Sequence, residues 1–233
     1  MYYAVIMAGG TGKRLWPLSR QKRPKQVLKL LDGQTLLGQC FERLSPVFDV
    51  RNIIVLTNEG YADLVREELQ EVPFNNVIAE PAVRDTTGAI GLAATILAKY
   101  EPEASMAIVT ADQLLDPPDV LQDALRDALE FVENNPEALV TFGIKPSFPS
   151  TQLGYVKCGD ARECARCKNT VYSVEAFREK PDLATAEAYV QDGRYFWNSG
   201  MFVWKARTIL SYLDKFLPEA SEPLRQIAAA WDT

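Results

Sequence analysis

Along this chain short apolar runs alternate regularly with segments of helical spacing. Residues 3–7 form an apolar run ending on Ala8-Gly9-Gly10, and residues 52–57 (NIIVLT) form a second, β-branched one bounded by charge and Asn. Between them, residues 35–44 place Leu36, Leu37, Cys40, Phe41 and Leu44 at helical spacing, with Thr35 available as the cap. Strand, helix, strand is a βαβ unit. The pattern continues with a helix at 61–69, a strand at 76–79, a helix at 87–100, a strand at 106–110, a helix at 120–133 and a strand at 138–142. This rhythm predicts an α/β fold, with a mostly parallel mixed central sheet covered by helices on both faces. After Lys145 the texture changes to β-rich segments at 155–158, 170–177 and 196–204, with one helix at 183–191. Residues 206–231 read as two helices split at Pro218. No repeat or long linker intervenes, so the expectation is one domain over 1–233, with residues 146–233 forming a smaller ligand-facing lobe beside 1–145.

The chemistry open to such a fold is narrowed by what the chain lacks. Histidine is absent, which removes Ser-His-Asp and Cys-His catalysis, His metal ligands and His pH switching. Carboxylates, lysines, arginines and backbone groups must carry any reaction. With 25 basic and 31 acidic residues the formal charge is −6, which argues against a general nucleic-acid binder. No uncharged run approaches the roughly 20 residues of a bilayer span, and no basic n-region opens the chain, so no membrane partner and a cytoplasmic enzyme are expected. Cys40 stands alone, whereas Cys158, Cys164 and Cys167 form C-x5-C-x2-C in a polar, basic segment. Two readings remain open for these three: a hairpin with free thiols, or a thiolate zinc site that would need a fourth ligand.

In open α/β sheets ligands bind outside the carboxyl ends of the strands. The first strand is followed by Ala8-Gly9-Gly10-Thr11-Gly12-Lys13-Arg14, whose glycines allow a tight turn and close approach of N–H groups to phosphate. This is neither the dinucleotide fingerprint nor a P-loop. Lys13, Arg14, Arg20, Lys22, Arg23, Lys25 and Lys29 put seven cations into seventeen residues, with no acid before Asp32. A charge run usually faces water. At this edge, pinned by Pro17 and Pro24, a polyphosphate site is the favoured reading. Asp112 follows the strand at 106–110, where a carboxylate can hold Mg2+ or simply form a turn or cap. Glu179-Lys180 follows the strand at 170–177 and pairs a hydroxyl-accepting carboxylate with a phosphate-attracting ammonium, an exposed turn being the alternative. Phe196, Trp197, Phe202 and Trp204 read as core or pocket wall.

Residues 8–19, ending in Trp16-Pro17-Leu18-Ser19 and followed by Arg23-Pro24-Lys25-Gln26, resemble the signature of the sugar-nucleotide pyrophosphorylases. The Trp16 and Ser19 versions are similar to those of the mannose-1-phosphate guanylyltransferases. Glu80-Pro81 with Arg84, Ala111-Asp112, residues 177–182 (FREKPD) and residues 197–202 (WNSGMF) recur in matching order. The resemblance implies a Rossmann-like, three-layer nucleotide-diphospho-sugar transferase fold, with the nucleotide in 1–145 and the sugar phosphate in 146–233. It implies attack of mannose 1-phosphate on the α-phosphorus of GTP, giving GDP-mannose and pyrophosphate, with catalysis by alignment and charge neutralisation. Catalytic roles then fall to Arg14, Lys25 and Asp112, with Asp112 as the ligand of the cofactor Mg2+. Ala8, Gly9, Gly10, Thr11, Gly12, Lys13, Glu80 and Asp85 would bind the nucleotide; Gly154, Glu179, Lys180 and Asn198 would bind the sugar phosphate.

The chain has Asp85-Thr86-Thr87-Gly88-Ala89 where the family usually has Asn-Thr-Ala-Pro-Ala, and Thr110-Ala111-Asp112-Gln113 where it has Pro-Ala-Asp-His. Base choice therefore rests on Asp85, which could accept from guanine N1–H and the 2-amino group. Family members continue about a hundred residues past the point matching Thr233, into a region with a second metal-binding Asp. The expected partners are GTP and mannose 1-phosphate, with a homodimer as the candidate assembly. The alternatives are a pyrophosphorylase for another NDP-sugar, a non-catalytic nucleotide-sugar binding or regulatory module, or a nucleotide-binding fold with no sugar site.

Overall fold

A computed structural model describes residues 1–10, 17–20, 24–31, 33–80, 82 and 85–231. Its centre is β1 (Tyr2–Met7), a strand buried on both faces: Ala4, Val5 and Ile6 are each 0% exposed, which is why the sequence there is continuously apolar rather than alternating. β1 lies parallel to β4 (Ile53–Asn58) on one side and to β6 (Ser105–Thr110) on the other, and β4 pairs in parallel with β5 (Val77–Glu80). The chain thus builds β4 and β5 to one side of β1, then returns to its other side as β6. That reversal is the topological switch point at which open sheets bind ligands.

The connecting helices form where the periodicity predicts. Thr35 caps α1 (Leu36–Leu44), its Oγ1 accepting from Gly38 N (2.9 Å). With α2 (Ala62–Glu68) and α4 (Pro118–Asn134), α1 covers one face through Leu37, Cys40, Leu44, Val65, Leu125 and Leu129. The other face is covered by α3 (Thr86–Tyr100), α6 (Ala206–Phe216) and α7 (Pro218–Ala230), through Ile90, Ala93 and Leu97 of α3 with Ala206 and Ile209 of α6. Pro218 opens α7 as its first residue, where a missing N–H costs nothing. Among the described residues no helix is long and apolar enough to cross a membrane.

Beyond β6 the sheet becomes antiparallel. β10 (Tyr195–Lys205) pairs with β6, with β7 (Val140–Ile144) and with β8 (Tyr155–Arg162), and β8 pairs with the edge strand β9 (Val171–Arg178). α5 (Leu183–Asp192), capped by Asp182, joins β9 to β10. β7 begins two residues later than the sequence suggests, because the turn after α4, with Ala138 N donating to Asn135 O (2.9 Å), takes up residues 135–138. A small hairpin of β2 (Lys29–Leu31) and β3 (Gln34–Thr35) was not anticipated.

The cysteine readings need correction. Cys164 and Cys167 are joined by a disulfide in the turn between β8 and β9, so they are neither free thiols nor zinc thiolates. The two-residue spacing brings their Cα atoms to 5.4 Å, within bridging range. Cys158, on β8, and Cys40 are free, and burial pushes the Cys40 thiol up to about 11.

Candidate active site

Ala8 extends β1 by donating its N–H to Leu56 O (2.7 Å). The carbonyls that follow are held by side chains. Gln26 Nε2 donates to Ala8 O (2.9 Å) and Gly10 O (2.7 Å), Thr57 Oγ1 to Ala8 O (3.2 Å), and Asn58 Nδ2 to Gly9 O (3.3 Å). In a trans peptide C=O and N–H point in opposite directions, so the N–H groups of Gly9 and Gly10 are turned away from these donors. Gly9 also lies close against β5: a Cβ there would stand 3.4 Å from Glu80 Oε2. Burial pushes the Glu80 carboxyl above its ordinary range.

Lys25 and Asp112, 87 residues apart in the chain, meet here, with Nζ donating to Oδ2 at 3.0 Å. Pro24 directs Lys25 and Gln26 into a single 3-10 turn, burying Gln26 (4% exposed) against the glycine loop while the Lys25 ammonium keeps partial access to solvent. Asp112 stands just past β6, whose ladder to β1 continues through Ala111 N to Met7 O (3.2 Å). Its carboxylate is close to half exposed, open to a ligand. Thr11, Gly12, Lys13 and Arg14 lie outside the described residues.

Gly154, Glu179 and Asn198 converge at the same edge. The β10–β6 register, Phe202 opposite Ile108, runs β10 back toward the end of β6; Tyr155 stands opposite both Trp197 and Arg178. Asn198 N donates to Gly154 O (2.8 Å). A Cβ on Gly154 would lie 2.9 Å from Glu179 Oε2 and 3.8 Å from Asn198 Cβ, so the carboxylate occupies space that only glycine leaves free. Asn198 Oδ1 accepts from Thr141 Oγ1 (3.3 Å) and Gly200 N (3.2 Å), which fixes the orientation of its side-chain amide. Lys180 adopts φ +40°, a left-handed conformation rare outside glycine, and its ammonium stays with Glu179 Oε1 (3.1 Å). Asp85 is the N-cap of α3, accepting from Gly88 N (3.1 Å).

The fold therefore brings Lys25 to Asp112, Glu80 to Gly9, and Glu179 and Asn198 to Gly154. Gln26, Thr57, Asn58 and Thr141 escaped the sequence reading, since they act by holding backbone carbonyls or another side chain. Only Gln26 carried a signal, its place beside Lys25 in the cationic segment.

Residues 3–232 match the nucleotidyl transferase family. The chain belongs to that family. The chain is 40% identical over 234 residues to a mannose-1-phosphate guanylyltransferase of Klebsiella pneumoniae, covering 100% of this chain and 49% of that protein. It is 40% identical, with the same coverage, to one from Escherichia coli. A crystal structure described as mannose-1-phosphate geranyltransferase from Thermus thermophilus matches with a TM-score of 0.87 at 34% identity, covering 98% of this chain and 64% of that one. The chain spans about half the length of the curated relatives it matches. Its fold is the Rossmann-like, three-layer one of the nucleotide-diphospho-sugar transferases.

Proposed function

We propose that this chain transfers a guanylyl group from GTP to mannose 1-phosphate, forming GDP-mannose and releasing pyrophosphate. The observation that carries the reading is the Lys25–Asp112 pair, set at the switch point beside Gly9 and Gly10. The names of the relatives agree with it. A phosphate oxygen of the sugar phosphate attacks the α-phosphorus, a bond to the α–β bridging oxygen breaks, and pyrophosphate departs with that electron pair. No protein nucleophile is needed, and a chain without histidine can do this by positioning and charge.

The N–H groups of Gly9 and Gly10, with Arg14, hold the triphosphate, and Lys25 meets the charge gathering on the α-phosphoryl group. Glu80 and Asp85 face the nucleoside, Asp85 selecting guanine. Asp112 suits a divalent cation, Mg2+ by our reading: magnesium commonly takes one or two carboxylates and completes its shell with phosphate oxygens and water. When bound, it would neutralise triphosphate charge and polarise the α-phosphoryl oxygens. In the sugar half, Glu179 and Asn198 bind hydroxyls, Lys180 the phosphate, and the Gly154 backbone the edge of the ring. Residues 1–145 thus serve the nucleotide and 146–233 the sugar phosphate, in a cytoplasmic enzyme.

The test is pyrophosphate release from a panel of nucleoside triphosphates and sugar 1-phosphates, with and without Mg2+. Turnover should be fastest with GTP and mannose 1-phosphate and need the metal, and Asp112→Asn should lower kcat by about 100-fold. Nucleotide binding without turnover for any pair would favour a binding module instead.

A further inference from the structure

Resting on that reading, we propose that Gln113 is a positioning residue that fixes the Asn198 bulge relative to the Lys25–Asp112 pair. Gln113 directly follows Asp112, and its Nε2 donates to the carbonyl of Ser199 (2.5 Å), directly after Asn198. One side chain thus joins the neighbour of the phosphate-facing carboxylate to the neighbour of the sugar-facing amide. Ser199 lies where the β10–β7 register slips, between Asn198 and Phe202, so its carbonyl falls in a stretch without a matched partner on β7. The bulge is closed locally by Met201 N to Ser199 Oγ (3.1 Å) and Gly200 N to Asn198 Oδ1 (3.2 Å), with Gly200 at φ +72°. Those bonds shape the bulge, and Gln113 sets where it stands against β6.

Gln113 is itself anchored. Its backbone carbonyl accepts from Arg43 Nη2 (2.9 Å), a guanidinium only 7% exposed on α1, and Arg43 O accepts from Gln122 Nε2 of α4 (3.1 Å). The side chain reaches Ser199 from a fixed base. Among the described residues its Oε1 is buried without a hydrogen-bond partner, an unfavourable placement that accompanies the donor's bond to Ser199. In-line transfer demands that the sugar phosphate oxygen and the α-phosphorus be held in register, and displacement by about 1 Å can cost about 100-fold in rate. Gln113 adds a side-chain tie between the two substrates' supports, past the point where the β6–β10 ladder ends.

The experiment compares wild type with Gln113→Glu, which keeps the volume but loses the donor, and Gln113→His, which retains an N–H. The readouts are kcat, the KM of each substrate, Tm, and amide hydrogen exchange at Gly200 and Met201. Gln113→Glu should lower kcat/KM for mannose 1-phosphate by about 100-fold while the KM for GTP stays within about threefold. It should also speed exchange at both amides by about tenfold, and Gln113→His should recover most of each effect. Wild-type kinetics in Gln113→Glu, or equal losses toward both substrates with a lowered Tm and no recovery in Gln113→His, would overturn the role. Exchange needs no turnover: an inactive wild type refutes the enzymatic reading, whereas unchanged exchange in Gln113→Glu refutes the Gln113 tie alone.

Discussion

At Gly154 one absent methyl group decides where a carboxylate can stand. Alanine there would put its Cβ 2.9 Å from Glu179 Oε2, while the nearest backbone atom, Arg178 O, is at an ordinary 3.7 Å. The obstructed atom ends a flexible, exposed side chain, so Gly154→Ala should change stability by no more than about 0.5 kcal/mol. It should nevertheless raise the KM for mannose 1-phosphate about tenfold, the worth of one charge-assisted hydrogen bond, which steady-state kinetics and a thermal melt together would read. Asp85 caps α3, and its proposed reading of guanine can be separated from that duty. Its carboxylate caps α3, so Asp85→Ala should cost about 1 kcal/mol of stability, while Asp85→Ser should restore the cap. If the carboxylate also reads guanine, both variants should lose GTP use about tenfold more than ATP use. Equal losses with the two nucleotides would remove Asp85 from base selection.

At the scale of elements, the β8–β9 hairpin is fastened by its tip. Asp127 of α4, 7% exposed, accepts from Lys168 N (3.0 Å), Asn169 N (2.8 Å) and Asn169 Nδ2 (2.7 Å). Lys168 Nζ reaches Asp123 Oδ2 (2.8 Å), and the Cys164–Cys167 bridge closes the adjoining turn. Asp127→Ala strands donors at a part-buried contact and should destabilise the protein by about 2–4 kcal/mol in urea unfolding; a change below about 0.5 kcal/mol would contradict the fastening. This contact was illegible in the sequence. Asp127 lies on a helix among the charges of Asp123, Arg126 and Glu130, and its partners lie 41 and 42 residues away. The C-x5-C-x2-C spacing reads as free thiols or a zinc site and misses the bridge, because only the folded turn aligns Cys164 with Cys167.

For the molecule as a whole, the strands and long helices were legible because the core is built from repeating apolar positions. The β2–β3 hairpin, with three- and two-residue strands, was too short to show a period. The site divides the same way. Lys25, Asp112 and Glu179 are charges next to strand ends or in a cationic run, visible one by one, whereas Gln26, Thr57 and Thr141 acquire meaning only from distant carbonyls or side chains. Acid stability is also a property of the whole chain. Several carboxyls are held below their ordinary range: Asp123 by Lys168, Glu175 by Lys157, Asp182 by the Thr185 amide, Asp192 by Arg194, and Glu222 by Gln226 and Arg225. Glu133 is lowered as well, burial opposing the shift and the Lys205 and Ser105 hydrogen bonds outweighing it. A depressed folded pKa means that the unfolded chain takes up protons first. These pairs therefore contribute fully above the usual carboxylate range and less as pH falls through about 4. Urea midpoints should drop between about pH 5 and pH 3, and more gently in high salt, since most of the pairs are exposed. A midpoint that holds steady over that window would contradict the shifts.

β10 is bonded at once to β6, β7 and β8, so a single strand of 11 residues is shared by the half assigned to the nucleotide and the half assigned to the sugar. Among the described residues no seam runs between them along which the two halves could part without tearing a ladder of backbone bonds. Any movement that serves the proposed reaction would then have to spare the three ladders of β10, which hold the two substrate supports in one sheet.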